Sequence, residues 1–243
     1  VLARAHQSLI WSRQRQLNQL RNALREFYPA ALQAFGTDLA SADAVAVLSV
    51  APTPAKGRSL STSRIAAALR RGGRRRRGTE RAQEIQAALR SPQLEAPELV
   101  ARAYGDVVGS TVRVVAEMTA QIEVLTRELE ASFEGHPDAE ILSSLPGLGV
   151  LLGARVLAEF GDDPDRYADP KARKNYAGTS PITKASGRSR VALARFARNR
   201  RLADALEMWA FCSLSSSSGA RRYYDAHRAK GHTHRRALRS LAN

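Results

Sequence analysis

The spacing of apolar residues along the chain predicts a protein built mainly of helices, two of them long. Residues 1–28 carry apolar side chains at three- and four-residue intervals, and Tyr28-Pro29 ends this segment. Residues 98–134 predict a second long helix with a narrow, heptad-like apolar stripe, which needs a partner helix from this chain or from a second copy. The stripe consists of Val108, Thr111, Val115, Met118, Ile122, Leu125 and Leu129.

The segment between the two long helices predicts short helices separated by proline and glycine. It contains a dense basic run, which includes Arg74, Arg75, Arg76 and Arg77. Such a run favours an arm that binds the phosphate backbone of DNA or RNA. The alternative is a solvated basic loop.

A second region begins after the break at Gly135-His136-Pro137. Two predicted helices there flank a Pro-Gly-Leu-Gly turn, a pattern typical of helix-hairpin-helix nucleic-acid-binding modules. Gly147 and Gly149 would present backbone N–H groups to a phosphate. A tight turn between two core helices explains the same residues equally well.

We therefore predict an all-α fold in two parts. Residues 1–135 form a long-helix, coiled-coil-like dimerisation region with the basic arm, and residues 136–243 form a compact helical domain with the helix-hairpin-helix-like element. In the second part we expect a helix over 166–176, an irregular hairpin around Ser186, a core helix over 202–214 and a last basic helix over 234–242.

The charge balance points to a polyanionic partner. Lys and Arg total 38 against 23 Asp and Glu, a formal net charge of +15, and nucleic acid is the simplest partner for such a chain. No apolar run approaches the roughly 20 residues of a membrane-spanning helix. The single cysteine, Cys212, excludes a disulfide framework and fits a reducing cytoplasm. Because the chain opens at Val1 inside a helical pattern, we expect a longer parent protein.

The most informative stretch is residues 177–201, which is strongly basic and contains no acidic residue. Ser186-Gly187 lies in its middle, a pair that suits gripping a phosphate or attacking one. An ordinary polar turn is the alternative. The candidate nucleic-acid-binding residues here are Lys184, Gly187, Arg188, Arg190, Arg195 and Arg198.

No residue of the chain is assigned to a metal. Asp162, Asp163 and Asp165 cluster, but Asp163-Pro164 is also a conventional helix start, with aspartate as the cap. His136 lies in a linker, and His232 and His234 have no carboxylate or thiol nearby.

Four motifs in the second half resemble the C-terminal domain of the insertion-sequence-110 family of transposases, relatives of the Piv-type DNA invertases. They stand in this order: P-G-L-G (146–149), A-E-F-G-D-D-P-D-R-Y (158–167), A-G-T-S-P-I-T-K-A-S-G-R-S-R (177–190) and the final Y-Y-D-A-H-R-A-K-G-H-T-H-R-R-A-L-R-S-L-A-N (223–243). The resemblance covers roughly residues 137–243.

The resemblance implies a recombinase that exchanges DNA strands through a covalent phosphoserine. A structured bridge RNA would guide it, and an N-terminal RuvC-like domain would hold Mg²⁺ through four acidic residues. The serine that matches the family's nucleophile is Ser186, with Ser180 and then Ser189 as weaker rivals. Arg188 and Arg190 would hold the phosphate.

This chain departs from the family pattern because it starts after the RuvC-like domain. We therefore expect no metal bound by this chain, no DNA cleavage by the chain alone, and a homodimer or higher oligomer in the parent. The rival interpretation is a non-catalytic fragment that binds nucleic acid or mediates dimerisation.

Overall fold

A computed structural model describes the backbone of residues 1–243 and every side chain except that of Pro164. The described residues form thirteen α-helices, one 3-10 turn and one antiparallel hairpin. This confirms the predicted predominantly α-helical fold. In the part of the chain that the structure describes, no helix combines enough length with enough apolar character to cross a membrane.

The elements follow one another along the chain with short connections. The bounds are α1 Leu2–Phe27, α2 Pro29–Phe35, α3 Ala42–Val50, α4 Pro54–Ser59, α5 Thr62–Arg71, α6 Gly78–Leu89, α7 Glu98–Glu134, α8 Ala139–Ser143, α9 Val150–Phe160, the 3-10 turn Pro164–Arg166, α10 Pro170–Ala177, β1 Ile182–Ser186, β2 Ser189–Leu193, α11 Arg200–Ser216, α12 Ser218–Ala229 and α13 His234–Leu241.

Both long helices and the hairpin lie where the sequence predicts them, but the helix predicted over 166–176 is wrong at its start. Asp163 caps only a 3-10 turn, accepting a hydrogen bond from the backbone N–H of Asp165. The helix α10 begins at Pro170, and its cap is Asp169, which accepts from the N–H of Ala172. The helix therefore begins at the second Asp-Pro pair, because the residue before a proline is disfavoured in helical conformation and proline suits the first position of a helix.

The chain divides into two compact units, whose limits fall inside α1 and α7. One unit is Ser8–Val124, and the other joins Val1–Gln7 to Leu125–Asn243. The domain boundary that the sequence predicts after residue 135 stays a prediction.

The unit Ser8–Val124 is held by a core in which α1 and the short helices meet. Leu20, Leu24 and Phe27 of α1 are buried in it. The ring of Phe27 stacks on Tyr104 of α7 at 5.0 Å between centroids. The apolar stripe of α1 is therefore used for packing within this unit.

In the unit of residues 1–7 and 125–243, α9 and α11 form the main core, with Val156, Leu202 and Leu206 among its buried residues. A smaller cluster joins Ala3, Leu129, Phe133 and Ala154. This core supports the segment from which the basic hairpin projects.

Tyr28 and Gly57 give a test of packing in the unit Ser8–Val124. The Tyr28 hydroxyl is buried and has no hydrogen-bond partner among the described residues, and burial raises the pKa of Tyr28. Tyr28→Phe should leave the free energy of unfolding unchanged or raise it by up to about 1 kcal/mol. A Cβ at position 57 would lie 1.7 Å from that oxygen, so Gly57→Ala should cost about 1–3 kcal/mol.

The two changes should also couple, since Tyr28→Phe removes the atom that a residue-57 methyl meets first. Urea unfolding of the two single variants and the double variant measures this coupling. A loss of more than about 1 kcal/mol in Tyr28→Phe would show that the hydroxyl has a partner, contrary to this structure.

Candidate nucleic-acid interface

The basic hairpin β1–β2 projects its Ser-Gly pair into solvent. Ser186 pairs with Ser189 at the end of the ladder, and Gly187-Arg188 forms the two-residue turn. Gly187 has φ +55°, and Arg188 has negative φ; these are the φ signs of a type II′ turn, which demands glycine first. Every residue of both strands is exposed. Because an isolated two-stranded hairpin is only marginally stable in water, this one is suited to being held by a partner.

The three candidate serines differ in what their hydroxyl groups contact. Ser180, half-buried after α10, donates a hydrogen bond to Oδ1 of Asn175 at 2.5 Å. Ser186 and Ser189 are exposed at the tip, and among the described residues neither hydroxyl has a hydrogen-bond partner. The geometry leaves Ser186 accessible to an incoming phosphate and ties Ser180 to the helix end.

The pairing register divides the basic residues of the hairpin between its faces. Directly opposed residues lie on one face of an antiparallel pair, and alternate residues share a face. Since Ser186 opposes Ser189 and Lys184 opposes Val191, Ser186 and Lys184 lie on the same face. Arg190 opposes Ala185 and lies on the other face, while Arg188 lies in the turn beside Ser186.

The two arginines after the hairpin occupy its base. Arg198 packs its aliphatic stem on Gly178, where an added Cβ would lie 2.1 Å from the arginine Cδ. Gly178 also has φ +75°, so both conformation and close approach require glycine there. Arg195 is half-buried, and its Nε is a buried donor without an acceptor among the described residues.

Gly147 and Gly149 of the helix-hairpin-helix-like turn have different surroundings. Gly147 has φ +78° and packs on α11, where an added Cβ would lie 2.5 Å from the backbone N of Ser213. Gly149 is exposed and precedes α9, with nothing within 4 Å of an added Cβ. Packing against α11 is enough to explain why a glycine is needed at position 147. No side chain at position 149 covers the first N–H groups of α9, which can bind solvent or an anion.

Some arginines of the basic run between α5 and α6 form ion pairs within the protein. Arg74 forms a two-pronged ion pair with Asp43, in which Nη2 lies 2.6 Å from Oδ2, and the hydrogen bond that Arg74 donates to Asp43 raises the pKa of Arg74. Arg77 pairs with Glu80 at 2.6 Å. Arg75 and Arg76 are exposed and form no ion pair among the described residues, so they are the members of the run best placed to meet a phosphate.

A buried carboxylate that the sequence analysis did not single out fixes the segment after the hairpin. Glu159 of α9 is 3% exposed. Its two oxygens accept from Nε and Nη2 of Arg4 at 2.9 and 3.0 Å, and Oε2 also accepts from Asn199 at 2.7 Å. The side-chain Oδ1 of Asn199 caps α11. A glutamate near the end of the mainly apolar helix α9 was the available signal.

The pKa of Glu159 reflects competing effects. Burial by itself would raise it, but the hydrogen bonds from Arg4 and Asn199 and the charges of Arg4 and Arg201 outweigh burial and lower it. The carboxylate therefore stays ionised in the folded protein and serves as an anchor.

The described residues contain no group of three or more His, Cys, Asp or Glu side chains arranged to hold a metal ion. Asp163 is engaged as a cap. His136 lies 3.7 Å from the exposed carboxylate of Asp162. His234 contacts the hydroxyl of Tyr224 at 2.7 Å.

Comparisons with known proteins find similarity to proteins of insertion elements. Residues 139–225 match the family model described as "Transposase IS116/IS110/IS902 family". The whole chain is 43% identical to the mini-circle protein for IS117 of Streptomyces coelicolor and covers 59% of that protein. Over 191 residues, 78% of this chain, it is 34% identical to the IS900 42 kDa protein of Mycobacterium paratuberculosis and covers 47% of it.

A third relative has the same coverage as the first. The IS110 43.6 kDa protein of Streptomyces coelicolor is 30% identical over 253 residues, which is 100% of this chain and 59% of that protein. The chain thus spans about half to three fifths of the length of the curated relatives it matches.

The two glycines of the Pro-Gly-Leu-Gly turn can be separated by substitution. Gly147→Ala should destabilise the protein by roughly 2–4 kcal/mol, because it combines positive φ with a clash against helix backbone. Gly149→Ala should change the free energy of unfolding by less than about 1 kcal/mol. Denaturant unfolding measures both. Equal, small effects would contradict the packing of Gly147 on α11.

The Glu159 anchor predicts a pH dependence. Its folded-state pKa lies below the unfolded value of about 4.3, so the stability it contributes is present above that value and is lost as pH falls through the folded pKa. Glu159→Gln should cost about 1–2 kcal/mol at neutral pH, a modest figure because Arg4 is half exposed. The difference from wild type should shrink below about pH 4. Thermal unfolding across pH 3–7 measures it, and a constant difference would refute the anchor.

Proposed function

We propose that this chain, whose residues 139–225 match the model of the IS116/IS110/IS902 family of transposases, is part of a recombinase that moves an insertion element by DNA strand exchange, with Ser186 as the nucleophile. The observation that carries the proposal is the position of Ser186. It stands at the tip of an exposed basic hairpin with its hydroxyl unengaged, whereas Ser180 is bound to Asn175.

The proposed chemistry is a reversible phosphoryl transfer. Oγ of Ser186 attacks the phosphorus of a DNA phosphodiester, and the bond from phosphorus to O3′ breaks. The serine proton passes through solvent to the departing O3′, which leaves a 5′-phosphoserine and a free 3′-hydroxyl. A 3′-hydroxyl of the partner strand then attacks the phosphoserine and releases Ser186, so the strands are exchanged without hydrolysis.

The positive side chains near Ser186 suit this reaction. Lys184 lies on its face of the hairpin, and Arg188 follows Gly187 in the turn. Fixed positive charge stabilises the negative charge that develops on phosphate oxygens in the transition state. Gly187 adds no side chain between the backbone and the phosphate. Arg190, on the other face, suits contact with a neighbouring backbone phosphate better than with the reacting one.

The magnesium ions that the family resemblance implies do not fit the described residues. No group of three candidate ligands comes together there, and Asp163 is occupied as a cap. We derive no step through a metal from this chain and leave the Mg²⁺ sites with the RuvC-like domain expected in the parent protein. DNA cleavage by this chain alone is accordingly not proposed.

The partners proposed for the parent protein are DNA, a structured guide RNA and a second copy of the protein. The hairpin, Arg75 and Arg76 offer unpaired positive charge to either nucleic acid. Three exposed valines on α7, Val100, Val107 and Val114, recur every seven residues at 41%, 53% and 40% exposure. This spacing suits packing against another helix and supports the proposed oligomer.

The nucleophile can be tested in the full-length parent protein supplied with its guide RNA and DNA partners. Ser186→Ala should reduce strand exchange by roughly a thousandfold or more, because no other group can form the covalent intermediate. DNA affinity should change by less than about twofold, since no charge is removed. Gel assays of recombination and of binding measure the two quantities.

Ser180→Ala and Ser189→Ala are the matched controls for this test and should retain strand exchange. Trapping on a nicked DNA substrate followed by mass spectrometry should find the phosphate adduct on Ser186. Unchanged recombination in Ser186→Ala, or loss only in Ser180→Ala, would reject Ser186 as the nucleophile.

A further inference from the structure

A cavity lined by arginines lies at the base of the hairpin. It has a volume of about 400 Å³ and is formed by the end of β2 and the residues that follow it, together with α12, the loop after it and α13. Three arginines line it, Arg195, Arg236 and Arg239, together with His232 and Tyr223. The lining side chains include no carboxylate.

These arginines lack the partners that clustered positive charges normally have. Among the described residues, none of the three forms an ion pair with a carboxylate. The Nε of Arg195 is buried and donates to nothing, and an unsatisfied buried donor costs free energy. Glu207 lines a smaller neighbouring cavity with Arg239 but forms no ion pair with it in the described residues. An anion in the cavity would relieve the repulsion among the three guanidinium groups and accept charge-assisted hydrogen bonds from them.

The size and the aromatic wall of the cavity indicate more than a bare anion. A volume of about 400 Å³ falls in the range of pockets that hold small organic ligands. Tyr223 is 45% exposed. Its ring contacts the ring of His227 at 4.6 Å between centroids. An exposed aromatic ring beside arginines is the arrangement that binds nucleotides by stacking and phosphate contact.

We propose that this cavity holds one nucleotide of a nucleic-acid strand, with its phosphate on Arg195, Arg236 and Arg239 and its base against Tyr223. His232 fits this role as a neutral donor or acceptor, since burial and the charge of Arg236 lower its pKa.

The location of the cavity gives it a defined relation to Ser186. Ala192 and Leu193 of β2 line the cavity, and Ser189, at the other end of β2, pairs with Ser186. Ser189 and Leu193 are four residue steps apart, or about 13 Å, which is about four nucleotide steps of a stacked strand. The assignment of this nucleotide to the strand that reacts at Ser186 rests on the proposed function; the existence of the nucleotide site does not.

The test uses the 243-residue chain and a single-stranded oligodeoxynucleotide that carries 2-aminopurine, whose fluorescence falls when it stacks on an aromatic ring. Arg239→Gln and Arg236→Gln should each weaken binding about tenfold, since each removes a charge-assisted contact. Tyr223→Leu should abolish the quenching of one 2-aminopurine position and weaken binding at least about fivefold. Fluorescence anisotropy and quenching report affinity and stacking separately, and thermal unfolding checks that each variant folds.

Arg222→Gln is the matched control, because this exposed arginine of α12 is outside the cavity and its loss changes the net charge equally. It should weaken binding by less than about threefold. Equal losses in Arg222→Gln, Arg236→Gln and Arg239→Gln would overturn the proposal, because they indicate a general surface charge. So would unchanged quenching in Tyr223→Leu.

Inorganic phosphate separates a nucleotide site from a free-phosphate site. If phosphate raises the unfolding temperature of the wild type but not of Arg239→Gln, while both bind the oligonucleotide equally, the cavity takes free phosphate and the proposal is overturned. Ser186→Ala should bind the oligonucleotide like the wild type. Recombination that survives Ser186→Ala would therefore reject the proposed nucleophile and leave the nucleotide site intact.

Discussion

The anchoring of Glu159 is the interaction on which the arrangement around the basic hairpin depends. A buried carboxylate is costly unless it is ionised, paired and hydrogen-bonded. Here Arg4 and Asn199 meet that requirement together. Asn199 also donates to the hydroxyl of Tyr176 at 2.7 Å and caps α11. One carboxylate thereby joins residues of α1, α9 and α10 to the start of α11.

The Glu159 anchor holds the chain on both sides of the basic hairpin. The chain leaves α10 near Tyr176, forms the hairpin and returns to Asn199, whose N–H donates to the carbonyl of Tyr176. The two ends of the loop are therefore held together, while both strands between them are exposed. A firm base with an accessible tip suits a side chain that must reach into a nucleic acid, since catalytic groups are commonly carried on loops over a rigid scaffold.

The distribution of arginines separates structural from available charge. Arg4 and Arg74 are bound to carboxylates and contribute to folding. Arg188 and Arg239 have no acidic partner among the described residues, and they lie at the tip and at the base of one hairpin. The positive charges of the chain therefore have two different roles: some stabilise the fold, and others are available to bind an anion. Arg239 lines the cavity at the base, and Arg188 lies in the turn beside Ser186.

The sequence by itself determined the helical class, the two long helices and the hairpin with its Ser-Gly turn. These are local properties: apolar spacing sets a helix face, proline ends a helix, and a glycine with positive φ permits a two-residue turn. The same local reasoning placed the start of α10 wrongly, because two Asp-Pro pairs compete within a few residues and both can cap. The four family motifs were equally visible in the sequence, since they are patterns of adjacent residues.

Only the tertiary structure decided which of the candidate residues are free to act. It distinguished Gly147, packed on the backbone of α11, from the open Gly149. It assigned Arg74 to Asp43 and left Arg75 exposed. It also brought Arg195 together with α13 residues that lie some forty positions later in the chain. The physical reason is that burial and charge pairing are set by residues distant in sequence, and no local pattern records which partner a side chain will meet.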